Sequence, residues 1–137
     1  MVGILIVTHG DLAKSLISTG ELIIGELKMT SAVSIWPKES KEEVKDRIQE
    51  EVTKVDNGDG VVILTDILGG TPTNQSVPLL ESEKVEVVTG VNVSMVLALS
   101  CFREGKSLKE VGSLAKKAGR RSIVTASEVL DYNKGWS

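Results

Sequence analysis

The sequence predicts an α/β fold: a doubly wound, mostly parallel five-stranded sheet of strand order 2-1-3-4-5. Three observations support it. Short β-branched apolar runs alternate four times with stretches that are apolar at helical spacing, which implies parallel strands joined by helical crossovers. The chain has 137 residues, the size of one such domain. Hydrophobic residues make up 41%, enough for one core and too many for a disordered chain.

The first run, Val2 to Val7, is continuous and β-branched, as in a strand buried on both faces. After Thr8-His9-Gly10, residues Leu12, Leu16, Ile17, Ile23 and Ile24 are spaced as one helical stripe, and Gly25 is placed to end it. Ser31 to Trp36 reads as the second strand, closed by Pro37. Ser40 and Glu43 then form a capping-box pattern ahead of Val44, Ile48, Val52 and Val55. Asn57-Gly58-Asp59-Gly60 is a turn, and Val61 to Thr65 is the third strand with Asp66 at its carboxyl end. Thr71-Pro72 suits the N-cap and first position of another helix. Lys84 to Thr89 is the fourth strand, and a helix follows from Val93 to Arg103. Ser107 and Glu110 make a second capping box for a helix ended by Gly119, and Ser122 to Ala126 is the fifth strand. Residues 1–130 form a single domain in this reading, and 131–137 a polar tail of low order.

Composition removes several function classes. Sixteen basic against 19 acidic residues give a net charge of −3, which argues against a coat for nucleic acid or anionic membrane. The aromatics are Trp36, Phe102, Tyr132 and Trp136, too few for a base-stacking surface. One cysteine, Cys101, allows no internal disulfide and no Cys-based zinc site, and its apolar neighbours predict that it is buried. No apolar run approaches the roughly 20 residues of a membrane span, and the opening lacks the basic flank of a signal peptide, so a cytoplasmic location is the default. No cofactor or metal cluster is suggested.

Histidine chemistry can occur only at His9, the single histidine. In a doubly wound sheet, ligands bind beyond the carboxyl ends of the strands at the switch point, here between strands 1 and 3. His9 and Asp66 stand at those two ends. A carboxylate bonded to one imidazole nitrogen fixes the tautomer, presents the other nitrogen as a nucleophile and stabilises the charge that forms. Adjacent Gly69 and Gly70 bare the backbone ahead of a helix start, Thr71 adds a hydroxyl, and a second helix start follows Gly10-Asp11. Together these make a phosphate cradle. The Gly-Lys-Ser/Thr ending of a nucleotide P-loop is missing.

With these residues in place, the chain resembles the enzyme IIA domains of the mannose-type sugar phosphotransferase system over roughly residues 2 to 130. The resemblance rests on Thr8-His9-Gly10, on Asp66 followed by Gly69-Gly70-Thr71-Pro72 and Asn74, and on Gly90-Val91-Asn92. It implies that His9 accepts a phosphoryl group from phosphorylated HPr and passes it to an enzyme IIB, with Asp66 as orienting partner. Gly10, Gly69, Gly70, Thr71 and Asn74 would surround the phosphate. It also implies a homodimer, often with the last strand antiparallel and exchanged, and an association with membrane components IIC and IID through IIB. Two positions depart from the family pattern: Thr73 stands where an aromatic is usual, and Ser94 where proline is common. Both are expected near the surface where partners dock. No IIB domain lies within the chain, so the expected acceptor is a separate protein.

The rivals lack parts. Histidine phosphatases use an arginine before the histidine and a second histidine, and tetrapyrrole chelatases open similarly but need a further histidine. A receiver domain needs an acidic pair where Thr8-His9 stands, and a flavin module needs more aromatics. A regulatory phosphohistidine domain reporting carbon or phosphoenolpyruvate supply would use the same site and is the main alternative. A chelatase-like metal-binding protein is a more distant one. By the resemblance, the sugar itself is bound by the membrane components and not by this domain.

Overall fold

A computed structural model describes residues 1–132 of the protein. Its sheet has four parallel strands: β1 (Gly3–His9), β2 (Thr30–Ile35), β3 (Val61–Thr65) and β4 (Val85–Val88), in the order β2-β1-β3-β4. The helices between them are α1 (Leu12–Ile24), α2 (Lys41–Val55), α3 (Thr71–Ser76) and α4 (Val93–Phe102), followed by α5 (Leu108–Arg121) and α6 (Ala126–Tyr132). Strand β1 lies inside the sheet and every residue from Gly3 to Thr8 is buried. Its alternation divides the core in two. Ile4 and Ile6 face Val62, Leu64 and the apolar sides of α1, α4 and α5, including Leu16, Val96, Leu99 and Val111. Leu5 and Val7 face Val33, Ile35, Ile63 and the α2 stripe of Val44, Ile48, Val52 and Val55. Side chains alternate across a strand, so helices on both faces are what a continuously apolar strand requires.

The caps follow the sequence in part. Ser40 accepts from Glu43 N–H at 3.1 Å, and the Ser107–Glu110 pair closes reciprocally at 3.2 and 3.0 Å. At α3 the N-cap is Gly70, with Thr71 first and Pro72 second, so the helix starts one residue earlier than expected. In α1, Leu16 is buried, but Leu12, Ile23 and Ile24 are exposed, so the expected stripe is only partly buried.

Two further expectations are corrected. No fifth strand forms at Ser122–Ala126 within the described chain: Ser122 caps α5, Ile123 and Val124 are exposed, and Ala126 opens α6. A local pair decides this. Thr125 Oγ1 accepts from Glu128 N–H at 3.2 Å while Glu128 Oε2 accepts from Thr125 N–H at 2.8 Å, a capping box that starts a helix where the β-branched run suggested a strand. The helix runs on to Tyr132, past the point where a tail was expected, and the rest of that tail lies outside the described residues. Cys101 is exposed, not buried. Helix α4 turns Met95, Val96 and Leu99 inward, and Cys101 sits about half a turn away from that stripe.

One buried charge ties the opposite end of the sheet together. Arg103, 1% exposed, donates from Nε to Val2 O at 2.8 Å and from Nη1 to Leu99 O at 3.3 Å, and its Nη2 donates to Lys28 O. No helix is long and apolar enough to cross a membrane among the described residues.

Candidate functional site

Strand β1 continues two residues beyond the apolar run that marks it in the sequence, so His9 is its last residue and lies opposite Ile35 of β2. On the other side Val7 pairs with Thr65, which brings Asp66, the first residue past β3, alongside His9. The contact is double. Asp66 Oδ2 accepts from His9 backbone N–H at 2.9 Å and lies 2.8 Å from His9 Nδ1. The other carboxylate oxygen accepts from Ile67 N–H at 2.9 Å.

Burial pushes the Asp66 carboxyl up. The hydrogen bonds from the His9 backbone and ring, the charge of His9 and the bond from Ile67 N–H together outweigh it, so the group sits below its ordinary value. An ionised carboxylate can only accept, so the proton of this contact belongs to Nδ1. Nε2 is left with its lone pair. The His9 side chain is 53% exposed and that of Asp66 14%: the free nitrogen is open and its orienting group is sheltered.

The loop after Asp66 is shaped around the ring. A Cβ on Gly70 would lie 2.8 Å from His9 Cε1 and 3.5 Å from Nε2. Gly70 has an ordinary extended backbone, φ −87°, so this glycine is required by space and not by conformation. Gly69 is the converse, with φ +87° and nothing near its missing side chain. Asn74 donates its backbone N–H to Gly70 O at 2.8 Å and its amide to Gly69 O at 3.1 Å, closing the loop on α3. Thr71 is exposed at the start of that helix. Across the site, Gly10 adopts φ +56° and approaches the Trp36 ring, which is half exposed at the end of β2.

Three threonines shape the site without having stood out as site residues. Thr8, fully buried, accepts from Ala13 N–H at 2.7 Å and so caps α1, whose N-cap residue Asp11 makes no side-chain bond. Thr73 is 2% exposed, not on the surface as its departure from the family pattern suggested. Its hydroxyl meets Ile67 O at 2.6 Å and Thr65 Oγ1 at 2.7 Å. A hydroxyl in a sequence of otherwise apolar strand residues, as at Thr8 and Thr65, was the available signal. Only the fold shows what each one bonds. Ser94 is half-buried in the first turn of α4, and Asn92 caps that helix by accepting from Met95 N–H at 3.0 Å.

Comparison with known proteins places the chain in a family. The family model EIIA-man, described as PTS system fructose IIA component, matches residues 3–116. A mannose-specific EIIAB component of Escherichia coli K12 is 31% identical over 124 residues, which are 89% of this chain and 38% of that protein. The chain thus spans well under half the length of that relative. A fructose-specific EIIA component of Bacillus subtilis is 27% identical over 135 residues, 98% of this chain and 92% of that one. The crystal structure of phosphotransferase system component EIIA from Streptococcus agalactiae superposes with a TM-score of 0.84 at 28% identity, covering 93% of this chain and 99% of the other. With most of its length matched by the family model, this chain belongs to the EIIA-man family of phosphotransferase system IIA components.

Proposed function

We propose that this chain carries phosphoryl groups in a sugar phosphotransferase system, accepting them on His9 Nε2 from phospho-HPr and passing them to a separate enzyme IIB. The observation that carries this reading is the 2.8 Å contact between His9 Nδ1 and a sheltered Asp66, which leaves Nε2 open. In the first transfer the Nε2 lone pair forms a bond to phosphorus as the donor's P–N bond breaks, and the donor imidazole leaves with that electron pair. His9 then carries positive charge, which the Asp66 carboxylate offsets. Transfer to the acceptor repeats the exchange with His9 as the leaving group.

Charge on the three equatorial oxygens of the moving group needs fixed donors. Backbone N–H groups at Gly69 and Gly70, the Thr71 hydroxyl and the Asn74 amide are the proposed donors; Gly10 already donates its N–H to Ile35 O at 2.9 Å and so borders the site without offering a donor. Because Asn74 already donates one amide hydrogen to Gly69 O, it has one left to offer. Trp36, Ile67 and Leu68 are exposed on the strand end and loop beside His9, and this apolar rim suits a protein donor and acceptor. Such a carrier works in the cytoplasm and reaches membrane components through IIB. The domain proposed is residues 1–130.

The proposed assembly is a homodimer in which the segment from Ile123 pairs with a second copy. Its support is the outer edge of β4, which apart from a bridge between Val85 and Glu81 pairs with no strand among the described residues, and exposed Ile123, Val124 and Leu130. Sedimentation at micromolar concentration should give twice the chain mass, and Val124→Asp should give the monomer.

The carrier reading is tested by incubating the protein with phosphoenolpyruvate, enzyme I and HPr and measuring intact mass. An acid-labile phosphoryl adduct is expected on the wild type and none on His9→Ala. Equal labelling of the two would sink it.

A further inference from the structure

The loop from Asp66 to Gly70 has little of its own to hold it in place. Ile67 is 58% and Leu68 77% exposed, so neither anchors the loop by burial. Gly69 and Gly70 add conformational freedom that must be overcome. Yet this loop has to hold a carboxylate against an imidazole to within a fraction of an ångström.

Asn74 ties its glycine end through Gly69 O and Gly70 O, and two buried hydroxyls beneath it restrain the Ile67 end. Thr65 is fully buried and Thr73 2% exposed. A carbonyl only accepts, so the 2.6 Å contact with Ile67 O takes the single hydroxyl hydrogen of Thr73. The 2.7 Å contact between the two hydroxyls is then donated by Thr65. The direction is fixed from core to loop: Thr65 O–H to Thr73, and Thr73 O–H to Ile67 O. On its other side Ile67 donates its N–H to Asp66 Oδ1 at 2.9 Å. These bonds belong to different peptide groups, so they clamp residue 67 at both ends. Asp66 in turn holds His9 through Oδ2.

We propose that Thr73, backed by Thr65, is a positioning residue for His9: its hydroxyl clamps the Asp66 loop so that the carboxylate selects the tautomer with Nε2 free. Its kinetic consequence rests on the carrier reading; its effect on the ring does not.

His9 is the only histidine, so its two imidazole nitrogens give unambiguous signals in a uniformly 15N-labelled protein. Wild type should show Nδ1 protonated in the neutral ring. Thr73→Val removes the hydroxyl and leaves Ile67 O and the Thr65 hydroxyl unpaired. It should shift the ring toward a mixture of tautomers and lower kcat for phosphoryl uptake from phospho-HPr about tenfold, the lower end of what lost outer-shell partners cost. KM for the donor should stay within about twofold, because the docking surface is untouched. Thr73→Ser should restore both readouts. Thr65→Val keeps the Thr73–Ile67 bond and should give a smaller change in the same direction.

A folded Thr73→Val with wild-type ring signals overturns the proposal, as does a Thr73→Ser variant altered to the same extent. If Thr73→Val does not fold, unchanged ring signals in Thr65→Val overturn it. Ring signals that respond as expected, in a protein that takes no phosphoryl group, support the positioning role and refute the carrier reading.

Discussion

Gly70 and Asp66 each meet the imidazole in a way one substitution can expose. A methyl group on Gly70 would press on His9 Cε1, a side-chain atom of a half-exposed residue, so the ring would yield before the backbone does. Gly70→Ala should therefore cost less than about 1 kcal/mol in urea unfolding, within the usual range of surface changes. The same displacement should slow His9 phosphorylation by about a hundredfold, as expected when a reacting atom is moved by about an ångström. At Asp66 the expected signature is in pH. The folded-state value lies below the ordinary 3.8, so its contribution to stability is present above that value and is lost as pH falls through the folded one. Asp66→Asn should be less stable than wild type at about pH 5, above the ordinary carboxylate value. That margin should shrink steadily in more acid solution. A margin independent of pH down to the acid limit would contradict the ionised contact.

Capping pairs set the boundaries of α5 and α6, and they were legible to different degrees. Ser107-x-x-Glu110 stands ahead of an evident apolar stripe and is readily recognised. Thr125-x-x-Glu128 follows the same rule, but Ile123-Val124 beside it reads equally well as strand, and the local hydrogen bonds settle the competition. Ser107→Ala should lower stability by about 1 kcal/mol, measured as a shift in urea midpoint with unchanged slope. Helix α4 carries the other lesson at this scale. Eight of its ten residues are apolar, so periodicity does not say which face is inside, and Cys101 lies on the exposed one. Native protein should react fully with a thiol reagent at a rate close to that in denaturant, whereas a buried thiol would react only after unfolding.

Over the whole molecule, Arg103 joins parts of the chain that no pattern in the sequence connects. Its guanidinium is bonded to carbonyls at the start of β1, before β2 and in α4, with burial holding its pKa below the ordinary value. Removing it leaves Val2 O without a donor, whereas Leu99 O keeps the Arg103 backbone N–H and Lys28 O keeps the Thr30 hydroxyl. Arg103→Met should destabilise by about 1–3 kcal/mol, because an unpaired buried carbonyl costs more than the apolar contact regained. Thermal unfolding would show it, and a loss under about 1 kcal/mol would mean that water replaces the guanidinium.

The first four strands, their order, the helices through α5 and the proximity of His9 to Asp66 were readable from the sequence. Each depends on local apolar periodicity or on the handedness of strand–helix–strand crossovers, which leaves few topologies open. Tertiary structure alone decided the rest. Thr73 lies under the loop rather than on the surface, Gly70 is required by the imidazole over it, and Arg103 ties three distant segments. Those facts are contacts between residues remote in sequence. A side chain's type states what it can donate, accept or fill, and only packing determines which partner it meets.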